Sequence, residues 1–324
     1  MPVHDALATL PDAVNDILRQ RDVTLRLLAV LDTHGTGRDD GSGAWLGARA
    51  AEDDRLIVLP SAGSGLTAAL QTALDAADAP LITHMESDDR CPPERLAKLG
   101  AALAGSEACG HTLLQGVTSR VALFGAESEG MQRYVNWQNG LLSHAEMSRE
   151  RFIEIPALHQ TGLYRREALL ALGGYVTRGD WPADIDFWFR WFERDLSVTK
   201  LPEVLYRWRQ HPRQSTRADP QHDHQRLHTA RIDALSRLHG RHGSSPRPLR
   251  LVSTGETLAV WEASLSGDAF NLVGSERWTP GGPAPTRPTD DELTLAVYGM
   301  PTAREALRRS LPGLTEPDEL LFAG

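Results

Sequence analysis

Three carboxylates within four positions form the first candidate for chemistry in this sequence. Glu86, Asp88 and Asp89 follow residues 81–84, whose mostly apolar character predicts a short buried strand. Acidic groups at the C-terminal end of such a strand lie where open α/β sheets bind ligands. Glu86 and Asp88 alternate, so their side chains point the same way in an extended segment. Two oxygen donors on one face suit Mg²⁺ or Mn²⁺, which in turn holds a diphosphate.

The same stretch also fits a solvated acidic loop that caps the next helix. Pro92 and Pro93 break the strand, and residues 94–96 open a helix just after them, where the missing N–H of proline costs little. A short Glu-x-Asp pattern by itself is weak evidence for a metal site. Both interpretations therefore stay open at this point.

Strands alternate with loops or helices in the N-terminal part of the chain. Residues 24–32 and 55–59 predict buried strands, and a polar loop follows each of them. Asp32 closes the first of these strands, and the turn Gly63–Gly65 follows the second. This order predicts an α/β fold with a mainly parallel sheet, right-handed crossovers and flanking helices.

A second, smaller domain is predicted beyond a Gly-, Ser- and Pro-rich stretch. We expect a main domain over 1–240, a linker over 241–248 and a small α/β domain over 249–324. Helices are predicted at 96–103, 130–147, 167–172, 185–192, 227–238 and 304–311. Further strands are predicted at 112–124, 198–208, 249–253 and 293–297, and residues 274–291 predict a long loop.

Composition narrows the class of protein. The chain has 324 residues, 41% hydrophobic and 24% charged, as expected for a globular protein with a full core. A net charge of −9 argues against broad, nonspecific nucleic-acid binding. Two cysteines make no disulfide framework, so a reducing cytoplasm is expected. No apolar run is long enough for a transmembrane segment, and the composition suggests a GC-rich bacterial genome.

One segment departs from the acidic average. Residues 200–250 carry eleven Lys and Arg against four Asp and Glu. Such a surplus fits binding of a diphosphate or of an RNA acceptor. It equally fits a solvated helix face.

Several motifs, taken in order, resemble family 2 glycosyltransferases of the GT-A fold over roughly residues 1–220. The segments that carry the resemblance are Pro2–Ala6, Asp32, Gly63–Leu70, Glu86–Asp89, Pro93–Leu96, Gly173–Tyr175, Trp181–Trp188 and Pro202–Arg209. Residues 133–137, the Leu205–Arg207 segment and the tail from Leu293 are also similar to the branch that contains tRNA-queuosine galactosyltransferase. That branch has a small Rossmann-like C-terminal domain, which the resemblance implies for residues 249–324.

The resemblance implies a nucleotide-sugar donor, UDP-linked, and assigns residues that would bind it. Asp32 matches the position that hydrogen-bonds the nucleobase, and a carboxylate there can accept the imide N–H of uracil. Loop residues would complete the donor site: Pro2, Val3, Asp5, Gly63, Gly65, Glu86 and Ser87.

The resemblance also assigns the metal and the base. Glu86 and Asp88 match the acidic motif that binds Mg²⁺ or Mn²⁺, and His211 falls near a late basic position that approaches the metal or diphosphate. Asp184 matches the catalytic base, which implies a single displacement with inversion. Asp184 is equally a good helix cap, and Asp186 is an alternative base.

Departures from the family pattern keep other functions open. The first strand is missing before Pro2, Thr33 replaces a second acid, Glu86 replaces Asp, and Ala183 replaces the Glu before the base. A catalytically silent relative that binds nucleotide sugar is therefore one alternative. A queuosine-tRNA glycosyltransferase is another, so the acceptor is a glycan, a small molecule or tRNA.

Overall fold

The computed structural model describes residues 1–34, 39–108, 113–176, 178–212, 214, 223–239 and 246–324. Cys109 and most of the predicted linker lie outside these residues. The chain divides into two compact units. The first comprises Met1–His144, Ala157–Arg178 and Pro182–Pro220, and the second comprises Ala145–Pro156, Gly179–Trp181 and Gln221–Gly324.

Two sheets form the frame of the first unit. One is parallel throughout, in the order β1 (Pro2–Val3), β2 (Leu27–Leu31), β3 (Leu56–Pro60). The other has the order β4 (Leu81–Thr83), β6 (Leu163–Arg165), β5 (Gly116–Gly125), β7 (Val198–Gln210). In this second sheet β6 runs antiparallel to both neighbours, whereas β5 and β7 are parallel.

The strand expected before Pro2 is missing, but Pro2 and Val3 themselves form the short strand β1. Pro2 pairs with Val30 and Val3 pairs with Leu31, so the two residues expected in a loop are themselves part of the sheet. Val3 is fully buried, so an apolar side chain suits this position, as it does in the neighbouring strand β2.

Helices flank the sheets in both units. In chain order they are α1 (Leu10–Leu18), α2 (Ser42–Ala50), α3 (Leu66–Ala76), α4 (Arg95–Ala108), α5 (Glu129–Gly140), α6 (His144–Glu150), α7 (Arg166–Leu172), α8 (Ala183–Glu193), α9 (His224–His239), α10 (Gly255–Leu265) and α11 (Pro301–Ser310). A 3₁₀ turn spans His159–Thr161. The single helix predicted over 130–147 is two, because Gly140 ends α5 and Leu141 turns to extended backbone.

The turn after α7 shows why two glycines stand together. Gly173 adopts a φ of 91° and ends α7, as predicted from its sequence position. Gly174 also has a positive φ, of 72°, and a Cβ there would collide with the Gln71 side chain. That side chain accepts a hydrogen bond from the Tyr175 N–H at 2.8 Å. Glycine therefore lets this turn close onto α3.

Aromatic side chains of α8 make up much of the core of the first unit. Trp188 and Trp191 are 1% and 0% exposed. Phe187 stacks on Trp191 with ring centroids 5.6 Å apart and meets Tyr164 edge-on at 5.6 Å. These contacts anchor α8 firmly, so the direction of its first turn is well defined.

The second unit has one parallel sheet. Its strands have the order β11 (Leu320–Ala323), β10 (Leu293–Val297), β8 (Pro248–Ser253), β9 (Asn271–Arg277). Starting at β8, the chain first adds a strand on one side and then two on the other, as in doubly wound α/β folds. β9 overlaps the loop predicted from residue 274, because its NLVGSER sequence has little apolar character to signal a strand.

The compact units differ from the predicted domains in their composition. Helix α9 and residues 145–156 group with the C-terminal part rather than with the main domain. Glu150 explains part of this grouping, since its carboxylate lies 3.2 Å from both the Arg304 and the Arg308 guanidinium groups. The predicted boundary between two independently folding domains therefore stays a prediction. Across the described ranges, no helix has the length and apolarity needed to cross a membrane.

Candidate functional site

Asp32 follows β2 directly and is 7% exposed. Its Oδ1 accepts a hydrogen bond from the His34 N–H at 2.9 Å, and its Oδ2 accepts one from the Gly65 N–H at 2.6 Å. Burial alone would raise the pKa of Asp32, but these two N–H donors and the imidazoles of His4 and His34 lower it overall. Asp32 therefore joins the end of β2 to the start of α3 as an ionised carboxylate.

The other predicted donor-binding residues of this region lie in β1 or in the loops next to it. The Asp32 N–H donates to the Val3 carbonyl at 2.9 Å, so the ends of β1 and β2 meet. Pro2 is buried beside Val3, whereas Asp5 is exposed. Gly63 lies in the turn before α3. The structure thus gathers these residues near the carboxyl ends of the parallel strands, and their role in donor binding stays a prediction.

Asp32→Asn should destabilise the protein at neutral pH, and the destabilisation should fade in acid. Folding lowers the pKa of Asp32, so its carboxylate stabilises the native state fully above the unfolded-state pKa of about 3.9. That contribution is lost as the pH falls through the lower native pKa. A hydrogen bond to a charged group contributes about 1.5–3 kcal/mol, which is the loss expected at neutral pH. Urea unfolding of both proteins at neutral and strongly acidic pH measures it, and a difference that grows in acid would contradict this assignment.

Asp89 ties the acidic stretch to β7. Its side chain is completely buried, and its Oδ1 accepts the Arg209 N–H at 2.7 Å. Its Oδ2 accepts the Tyr206 hydroxyl at 2.7 Å, while the Arg209 Nε donates to the Asp88 carbonyl at 2.7 Å. Burial, and then the charge of Asp88, raise the pKa of Asp89 well above its ordinary value. Asp89 therefore holds the loop against β7 rather than capping α4.

Glu86 and Asp88 remain partly open to solvent. Their side chains are 25% and 31% exposed, and Ser87 between them is half-buried. Burial raises the pKa of Glu86, and burial followed by the charge of Glu86 raises the pKa of Asp88, against the opposing effect of His211. Two carboxylates that repel each other in a partly buried site are what a bound cation would stabilise.

The predicted metal ligands come together only in part. The His211 Nε2 lies 3.2 Å from the Asp88 Oδ2, but the Glu86 Oε1 instead lies 3.1 Å from the His84 Nε2. Within the part of the chain that the structure describes, no three His, Cys, Asp or Glu side chains form a ready metal-binding group. Mg²⁺ commonly takes one or two carboxylates and completes its shell with water and substrate phosphates. The carboxylate oxygens of Glu86 and Asp88 fit that kind of cation, and His211 lies next to them through its contact with Asp88.

Asp184 lies in the first turn of α8 and not at its N-cap. The cap position is Pro182, the helix begins at Ala183, and the Asp184 Oδ1 accepts the Ile185 N–H at 2.8 Å. The side chain is half-buried. A carboxylate at this end of a helix is favoured by the partial positive charge of the exposed N–H groups.

A chain of contacts connects α8 to the acidic stretch inside the first unit. Asp184 and Phe187 are three residues apart and so share one face of α8. The Phe187 ring lies 5.6 Å from the His159 ring, and the His159 Nε2 lies 2.8 Å from the His84 Nδ1. His84 in turn approaches Glu86, so α8 and the acidic stretch border the same buried cluster.

Asp186, the alternative base, has a structural role. It is 1% exposed, and its two oxygens contact the Arg178 Nε at 2.8 Å and the Arg190 Nε at 2.7 Å. Arg190 also donates to the carbonyls of Leu172 and Gly174, both at 2.9 Å. The Asp186 carboxylate therefore binds two guanidinium groups, that of Arg190 in the core and that of the more exposed Arg178, and its alternative assignment as base stays a prediction.

Some residues of the site gave no sequence signal. Tyr206 and Asp89 are 117 positions apart, and no local pattern predicts such a contact. The pair of Asp186 with Arg190 has the i,i+4 spacing of helix ion pairs, which could have revealed it. His84 and His159 carry no sequence signal for a site either, because single histidines in apolar segments are usually core residues.

Solved structures of other proteins share the fold of this chain. The fold is similar to S. aureus TarS 1-349 in complex with UDP, at 14% identity and a TM-score of 0.51, over 74% of this chain and 70% of that chain. It is also similar to S. aureus TarS 1-349 in complex with UDP-GlcNAc, at 13% identity and a TM-score of 0.52, over 74% of this chain and 71% of that chain. The expected GT-A class of α/β fold is thereby confirmed.

The sequence itself matches a curated protein and a family model. A protein from Haemophilus influenzae, described as an uncharacterized glycosyltransferase, is 26% identical over 151 residues, which are 47% of this chain. The match spans 52% of that relative, about half of its length. The model of glycosyl transferase family 2 matches residues 1–172, more than half of the chain. The chain therefore belongs to glycosyl transferase family 2.

Proposed function

We propose that this protein transfers a sugar from a nucleotide sugar, UDP-linked, to an acceptor hydroxyl with inversion at the anomeric carbon. The observation that carries the proposal is the position of Glu86 and Asp88, partly exposed at the end of β4 with raised pKa values, in a family 2 chain. The likeness to TarS, whose structures contain UDP and UDP-GlcNAc, supports a nucleotide-sugar donor.

Each end of the donor has candidate partners in the first unit. Asp32, Val3 and Asp5 would bind the nucleobase side at the edge of the parallel sheet. Glu86, Asp88 and His211 would hold Mg²⁺ or Mn²⁺, which when bound would neutralise the diphosphate as it leaves. Asp89, fixed by Tyr206 and Arg209, keeps the acidic stretch in place for this task.

Asp184 would accept the proton of the acceptor hydroxyl as that oxygen attacks the sugar. Its place in the first turn of α8 is rigid, because the aromatic face of the helix is packed into the core. A half-buried carboxylate at a fixed position is well suited to general-base catalysis. Ala183 leaves this acid without the neighbouring Glu that the family usually carries.

Metal-dependent binding of UDP tests the donor site. UDP should raise the melting temperature of the protein when Mn²⁺ is present and have little effect without it, because a ligand of the native state alone stabilises that state. Asp88→Asn should remove the Mn²⁺-dependent part of the shift. The exposed Asp54→Asn is a matched control and should leave it unchanged. A UDP shift of equal size in Asp88→Asn would contradict the proposed role of Asp88.

Transfer assays separate the remaining alternatives. Binding of UDP without hydrolysis or transfer of any donor sugar would favour a silent relative. The narrower resemblance to queuosine-tRNA glycosyltransferases stays a prediction, and sugar transfer to queuosine-containing tRNA is its direct test. Transfer to a glycan or small molecule together with failure on that tRNA would eliminate it.

A further inference from the structure

Two buried histidines stand directly behind the acidic stretch. His84 is 2% exposed and His159 is 6% exposed. The His84 Nδ1 lies 2.8 Å from the His159 Nε2, and the ring centroids are 4.7 Å apart. On its other side, the His84 Nε2 lies 3.1 Å from the Glu86 Oε1. His159, His84 and Glu86 therefore follow one another in close contact from the core to the proposed donor site.

The polar atoms determine which nitrogen carries each proton. Only one proton fits between the two facing ring nitrogens when both rings are neutral. If His84 donated that proton, its Nε2 lone pair would face the Glu86 carboxylate, which is also an acceptor. The favourable arrangement has His159 donating to the His84 Nδ1, and His84 directing its Nε2–H toward Glu86.

His159 is held so that it can play this part. Its ring packs beside those of Tyr175 and Phe187, with centroid distances of 6.1 and 5.6 Å. The Tyr164 hydroxyl donates to the His159 carbonyl at 2.9 Å, which holds the backbone at this position. These contacts restrict the movement of His159 relative to His84.

The contact between His84 and Glu86 is close but incomplete. Although the atoms are 3.1 Å apart, the N–H is not aligned with the carboxylate, and the His84 Nε2 makes no hydrogen bond within the described residues. A small rotation of the Glu86 side chain would complete the bond. Glu86 has one more rotatable bond than the Asp that usually stands at this position of the motif, so it gains more from such a restraint.

We propose that His84 is a positioning residue that aims the Glu86 carboxylate at the cation and diphosphate of the donor, and that His159 fixes the tautomer of His84. The inference rests on the proposed function of Glu86. It accounts for the presence of a buried, polar histidine pair next to the longer acid Glu86. Residues that orient metal-binding carboxylates and imidazoles commonly affect metal affinity by about 10–100-fold.

Two substitutions of His84 distinguish its two contacts. His84→Gln keeps an N–H near the position of Nε2, whereas His84→Asn keeps only an acceptor, its Oδ1, near the position of Nδ1 and no longer reaches Glu86. Isothermal titration of UDP with Mn²⁺ present should show an affinity loss of about 10-fold or more in His84→Asn. His84→Gln should stay near wild type. Equal affinity of wild type and His84→Asn would overturn the inference.

A shorter acid at position 86 supplies the decisive control. Glu86→Asp shortens the side chain, so that its carboxylate lies out of reach of His84, and the UDP affinity of this variant with Mn²⁺ present is the reference for the second background. Adding His84→Asn to Glu86→Asp should therefore change the affinity little, which a double-mutant cycle measures. The same loss in both backgrounds would show that His84 acts through general packing and would overturn the inference. Wild-type protein that binds no UDP would overturn the proposed function and this inference with it.

Discussion

Asp184→Asn should reduce sugar transfer by about 10²–10⁴-fold, the usual contribution of a general base. The amide has nearly the shape of the carboxylate and can still accept the Ile185 N–H, but it cannot take up the acceptor proton. Binding of UDP should stay close to wild type, because Asp184 is assigned to the acceptor side. Initial rates with a UDP-sugar donor, measured beside UDP affinity, give both quantities.

Glu193→Gln is a matched control at the opposite end of α8, since it makes the same carboxylate-to-amide change on the same helix. It should leave transfer near the wild-type rate. If Asp184→Asn loses UDP binding and melting temperature together with activity, the residue supports the structure instead. A wild-type transfer rate in Asp184→Asn would contradict its role as base.

Asp186→Asn should be the most destabilising single substitution considered for the first unit. Asp186 is 1% exposed and Arg190 is 5% exposed, so loss of the carboxylate leaves a guanidinium group in the core without its counter-charge. Removing one partner of a buried ion pair costs about 3–5 kcal/mol. Urea unfolding measures the free-energy difference directly.

An exposed ion pair supplies the comparison for Asp186. Asp78 and Arg26 lie 2.8 Å apart, with side chains 67% and 56% exposed. Asp78→Asn should cost at most about 1 kcal/mol, because solvent screens such pairs. If Asp186→Asn costs no more than Asp78→Asn, Asp186 is not the anchor described here.

Local patterns in the sequence predicted most of the frame that positions the site. The apolar run that ends at residue 84 predicted β4, and Gly173 predicted the end of α7. Helix α2 was missed because the small and polar residues around it resemble a loop. β9 was missed for a similar reason, since its position depends on pairing with β8 more than on its own composition.

The candidate site was predictable as a set of residues but not as a set of contacts. Spacing placed Glu86 and Asp88 at a strand end, and family resemblance added Asp32 and Asp184. Their partners come from distant parts of the chain, as with Tyr206 and Asp89, so only the fold reveals them. Asp186 illustrates the limit, because its i,i+4 spacing can suggest the pair with Arg190, whereas only the fold shows that Arg178 binds the same carboxylate.

Diffraction from crystals grown with UDP and Mn²⁺ can show whether Glu86 and Asp88 bind the metal that holds the diphosphate, because the anomalous signal of Mn²⁺ locates the ion directly. We expect one Mn²⁺ bound by Glu86 and Asp88, with the UDP diphosphate on its open side and Asp184 facing the same cleft. A metal peak away from both carboxylates, or UDP bound elsewhere on the chain, would contradict it.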